Sequence, residues 1–87
     1  MTMPREEVRE RIAQLLGRHF GVDAAAVKDG ASFRGALGMD SADVIDFVSF
    51  LEREFGFDEL EGYERLHTVK HVVDFVAAEL AKREGAP

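Results

Sequence analysis

Between Pro4 and Pro87 the chain has no proline, and within that interval three segments repeat apolar residues at spacings of three and four. Proline removes a backbone donor and collides with the preceding helical turn, so its absence leaves the whole interior free to be helical. From Pro4 to about His19, Val8, Ile12, Leu15 and Leu16 share one face. Pro4 suits a first helical turn, Glu6 and Glu7 suit the positive end, and Gly21 can stop the helix. A second helix is expected from about Asp40 to Phe55, with Val44, Phe47, Val48, Leu51 and Phe55 as its stripe and Gly56 as its stop. A third runs from Val69 to about Lys82, with Val69, Val72, Val73, Val76 and Leu80 aligned, Thr68 as N-cap, and Lys82 and Arg83 at the negative end.

The connections differ in character. Residues 20 to 40 carry Gly21, Gly30, Gly35 and Gly38 but also Val22, Val27, Phe33 and Leu37, too apolar for a solvated linker, so an ordered loop anchored by Phe33 is expected. Residues 56 to 66, GFDELEGYERL, are too short and mixed for a long helix, and one turn is expected over Tyr63 to Leu66. Strand signals are weak. The predicted fold is all-α: a four-helix bundle of three longer helices, one short helix and a long structured first loop. At 87 residues it is one domain, 1–87, with its core over about 5–82 and a frayed tail at 83–87.

Composition narrows the function. Seventeen acidic against eleven basic side chains give a net charge of −6, which repels nucleic acid and anionic lipid and favours a basic protein partner. Cysteine is absent, excluding disulfides and thiolate chemistry, and MTMPREEVRE lacks the apolar run of a signal peptide, so a cytoplasmic location is expected. No apolar stretch approaches the ~20 residues that span a bilayer. His19, His67 and His71 carry no catalytic motif, and no G-x-S-x-G elbow is present. His67 and His71 have helical spacing, but Thr68 as cap leaves His67 outside the helix, so no metal site is expected. DSADVID lacks the glycine and terminal glutamate of a calcium loop. The chain is not expected to be an enzyme.

The stretch LGMDSADVIDF, residues 37–47, carries the chemistry. Asp40 is a good N-cap and Asp43 follows three residues later, a capping box with Asp in place of Glu or Gln. Ser41 then stands at the first helical position, where no hydroxyl is required. Its place on the helical wheel flanks the core stripe, beside an Ile45 that also faces outward. Locally, two alternatives stand: a capped helix with an incidental serine, or a hydroxyl presented to another enzyme.

The wider context separates them. ASFRGALGMDSADVIDFVSFLEREFG resembles the phosphopantetheine-attachment region of acyl carrier proteins: a loop Phe, L-G-x-D-S at the turn, then a helix with an acidic outer face ending in L-E-x-E-F. GRHFGVDAAAV resembles the end of the family's first helix and LHTVKHVVDFV its last, so the likeness covers about residues 8 to 80. The resemblance implies that Ser41, preceded by Asp40, carries a covalent 4'-phosphopantetheine cofactor taken from coenzyme A by a phosphopantetheinyl transferase. It further implies a freestanding, monomeric, non-catalytic carrier that holds acyl groups as thioesters in fatty acid, polyketide or related specialised biosynthesis. An acyl-loading enzyme or ligase and ketosynthase or acyltransferase partners would dock basic patches on Asp40, Asp43, Asp46 and Glu52, with Ile45 as the apolar contact.

The chain also departs from the family's pattern. Ala42 stands where leucine usually follows the serine, and that position also touches partners. Ser49 replaces a frequent large apolar residue, Arg53 replaces a frequent acid, and GFDELEG replaces an I-P-D-E run. The aromatic bulk of Phe47, Phe50, Phe55 and Phe75 points to short, polar or rapidly transferred cargo. An aminoacyl or peptidyl carrier, or an acidic helical interaction module in which Ser41 is dispensable, are the alternatives.

Overall fold

Helix α1, Arg5–Phe20, buries the expected Val8, Ile12, Leu15 and Leu16. The computed structural model of the chain describes residues 3–60 and 65–85. Pro4 sits at the N-cap, one step before the helical turn expected of it, with an extended backbone whose carbonyl accepts the Val8 N–H at 3.0 Å. Gly21 ends the helix at φ 68°, the left-handed conformation a side chain would oppose. Helix α2, Ser41–Phe55, ends the same way at Gly56, φ 72°. Helix α3, Val69–Gly85, begins at Thr68, whose Oγ1 accepts the His71 N–H at 3.3 Å, the cap read from sequence.

Both α2 and α3 pack on α1. Val8, Ile12 and Leu16 from α1, Phe47 and Leu51 from α2, and Val69, Val72, Val73 and Val76 from α3 are almost entirely buried. Val44 and Leu80, expected in these stripes, pack at the perimeter and are half-buried. Phe50 and Phe75 also lie at the edge, so Phe47 and Phe55, with Phe33 from the loop, supply the aromatic bulk within the core.

The all-α architecture stands. Of the turn expected over Tyr63–Leu66, residues 63 and 64 lie outside the described residues. Arg65, within that turn, is in 3₁₀ conformation, and a further 3₁₀ turn not read from sequence lies at Ala24–Ala26, capped by the Asp23 carboxylate, which accepts the Ala25 N–H at 3.0 Å. α3 runs on to Gly85, and Arg83 Nη1 donates to the Phe55 carbonyl at 2.6 Å, satisfying an orphan acceptor at the end of α2.

The loop between α1 and α2 is ordered by backbone pairing with the start of α3. Ser32 and Thr68 form an isolated antiparallel bridge. The Phe33 N–H donates to the His67 carbonyl, and the Val69 and Lys70 N–H groups donate to Ala31 and Asp29, each at 3.0 Å. Phe33, 2% exposed, packs its ring 5.3 Å from that of Phe47, as the expected anchor. Met39 and Leu60 are buried beside the same core and were not singled out by periodicity, because neither lies on a helix.

Candidate functional site at the start of α2

The first turn of α2 is set by two carboxylates. Asp40 Oδ1 accepts the Asp43 N–H at 2.8 Å, and Asp43 Oδ2 accepts the Asp40 N–H at 3.3 Å, a complete capping box. Ser41 occupies the first helical position and is exposed. Upstream, the chain turns tightly through 32–39: Ser32 Oγ accepts the Gly35 and Ala36 N–H groups at 3.0 and 3.3 Å, and the Met39 N–H donates to the Phe33 carbonyl at 2.8 Å. Gly35 is needed there, since a Cβ would overlap the Ser32 hydroxyl. This turn carries Arg34 to Ser41, and Arg34 Nη2 donates a hydrogen bond to Ser41 Oγ.

A groove of about 440 Å³ opens beside that hydroxyl, lined by Phe33, Val44, Ile45 and Leu66 with Ser32, Arg34, Ser41 and His67 at its polar positions. Arg34, Leu66 and His67 are site residues that the sequence reading missed. Arg34 lies seven positions before Ser41, on a different element, and nothing in its local pattern marks the contact.

The expected docking residues divide. Asp40, Ala42, Asp46 and Ser49 are exposed, and Ile45 is 53% exposed, the large apolar side chain presented to solvent. Ser49 therefore replaces an apolar side chain at no cost to the core. Asp43 is half-buried and engaged in the cap. Glu52 is half-buried, and its Oε2 accepts the Leu60 N–H at 2.9 Å, fastening the segment after α2 to the helix. Arg53 leans toward the Phe50 ring, 6.0 Å from its centroid.

Comparison with known proteins agrees with this architecture. Residues 6–76 match the family model described as the phosphopantetheine attachment site. The chain is similar to the acyl carrier protein of Saccharopolyspora erythraea, 40% identical over 86% of this chain and 84% of that protein. It is 37% identical to the acyl carrier protein of Rubrobacter xylanophilus over 85% of this chain and 93% of the relative. The chain belongs to the acyl carrier protein family. Its fold matches the solved acyl carrier protein of Enterococcus faecalis with a TM-score of 0.70 at 35% identity, covering 87% of this chain and 98% of that one.

An acyl carrier protein is a carrier and not a catalyst, and its cofactor is phosphopantetheine. Membership also implies encounters with a phosphopantetheinyl transferase and biosynthetic enzymes. The residues at the start of α2 fit the cofactor: Ser41 offers an exposed hydroxyl for an ester, and Arg34 offers a planar set of donors suited to a phosphate beside it. Among the described residues no helix is long and apolar enough to cross a membrane.

Proposed function

We propose that Ser41 is the attachment residue and that the chain carries acyl intermediates of fatty acid, polyketide or related specialised biosynthesis. One observation carries the reading: the Ser41 hydroxyl is exposed at the first position of α2, contacted by Arg34 and set at the edge of an apolar groove. When bound, the cofactor supplies a terminal thiol that holds the acyl group as a thioester. The chain's own residues do the rest. The Asp40–Asp43 box holds the helix start rigid, so that the hydroxyl is presented in one orientation. Ile45 and Asp46 give a partner one apolar and one charged point of contact, while Ala42 leaves the surface between them shallow.

Cargo is read from the interior. Phe33, Phe20 and Phe47 form a connected aromatic group, with ring centroids 5.3 Å apart for Phe33–Phe47 and 6.2 Å for Phe20–Phe47. This packing next to the groove favours short, polar or rapidly transferred acyl groups over a long chain held inside. The acidic, cysteine-free chain is assigned to the cytoplasm, where it would act as a monomer on basic partner surfaces. A loading ligase and a ketosynthase or acyltransferase are the partner classes expected after the transferase.

The test is intact mass before and after incubation with coenzyme A, magnesium and a broad-specificity phosphopantetheinyl transferase. The chain is expected to gain one phosphopantetheinyl group, and Ser41→Ala none, with its melting temperature unchanged because the hydroxyl is exposed. A gain retained in Ser41→Ala moves the site elsewhere. An apo wild-type chain that gains nothing favours an acidic interaction module or a carrier whose altered α2 demands its own transferase.

A further inference from the structure

We propose that Arg34 clamps the phosphodiester formed on Ser41 and sets the direction in which the arm leaves α2. The inference rests on Ser41 being the attachment residue. Its first ground is direct contact, since Arg34 Nη2 already donates to Ser41 Oγ, the atom that would become the ester oxygen. With phosphorus on that oxygen, the guanidinium faces the non-bridging oxygens, and its planar donors can bind two of them together.

The second ground is charge. Asp40 and Asp43 flank Ser41 and repel an added anion, while their carboxylates are turned to the backbone amides of the cap. Among the described residues lining the groove, Arg34 is the one lysine or arginine, so it alone there carries a permanent positive charge. The third ground is placement. Phe33 is buried beside Arg34, and backbone bonds from Phe33, Leu37 and Met39 fix the turn, so the arginine is delivered from an ordered loop. An arm held on this side leaves over Phe33, Val44, Ile45 and Leu66 rather than out along the acidic face of α2.

Nuclear magnetic resonance tests this on the intact chain. In the wild type, the Arg34 Nε–Hε signal is expected to move between the apo and phosphopantetheinylated forms. The ³¹P signal of the loaded protein should differ from that of the same protein unfolded in urea. Arg34→Ala should shift it toward the unfolded position, and Arg34→Lys should give an intermediate shift, because lysine keeps the charge but loses the fork. Unchanged α3 amide signals in both variants show that the fold is intact.

An Arg34 signal identical in apo and loaded protein overturns the clamp, and that comparison requires no variant. So does a ³¹P signal in Arg34→Ala that coincides with the wild type. If the wild-type mass never rises, the attachment reading and the clamp fall together. If the mass rises and the resonances ignore Arg34, the clamp alone falls.

Discussion

Asp40 and Asp43 do two things at one place: they close amides that a helix start leaves open, and they bracket Ser41, the serine proposed as the attachment residue. The first role predicts a stability effect independent of any partner. Asp40→Ala removes the acceptor of the Asp43 N–H and should cost about 1 kcal/mol, seen as a melting temperature lower by about 4–8 °C for a domain of this size. Asp40→Asn keeps an acceptor oxygen and should lose much less. Equal losses in the two variants would mean that charge, not the hydrogen bond, holds the cap. This pair was legible because a capping box is a local pattern of two residues three apart. Arg34 was not: its meeting with Ser41 depends on the fold of the 32–39 turn, and a single arginine among glycines and alanines gives no periodic signal.

The three apolar stripes specified the helices because periodicity reports burial directly. What joins the helices was less visible. The loop after α1 is held by main-chain bonds to residues 67–70, and backbone pairing leaves little mark on side-chain composition. The end of α3 holds a contact that is hidden for a related reason. Lys82 and Arg83 look like the basic close of a helix, yet Arg83 reaches back 28 positions to the Phe55 carbonyl and places its guanidinium 5.5 Å from the Phe57 ring centroid. Arg83→Ala should therefore destabilise the fold by about 1–2 kcal/mol, through the lost charge-assisted bond and the ring contact. Urea denaturation measures it. A midpoint equal to that of the wild type would return residue 83 to the tail.

At the scale of the whole molecule, the net charge of −6 matters less than where the charges are already answered. Arg5 pairs with Asp74, Arg9 with Asp29 at 2.5 Å, and Arg11 with Glu54 at 3.2 Å, so α1 supplies cations to acids on α3, the loop and α2. Such exposed pairs add little stability, but they reduce the negative field on those faces. Composition alone gives only the sum, and motif position, which placed Glu52 among the docking acids, does not show that its carboxylate also fastens Leu60. Asp46 is the cleaner probe, exposed on α2 beyond the cap. Reversing it to Lys changes the charge by two units, and at about 10 Å in water this amounts to roughly fourfold in the encounter rate with a basic partner. Near 0.15 M salt, where the screening length is about 8 Å, the deficit should shrink. Transferase kcat/KM for Asp46→Lys, taken as a function of ionic strength, should converge on the wild type as salt rises, with no change in melting temperature. Glu52→Lys should instead melt earlier, because the Leu60 N–H loses its acceptor, and any rate loss would follow the fraction folded at every salt concentration. A rate for Asp46→Lys that equals the wild type at low salt would remove Asp46 from the docking surface and leave Ile45 and the Ser41 edge as the points of recognition.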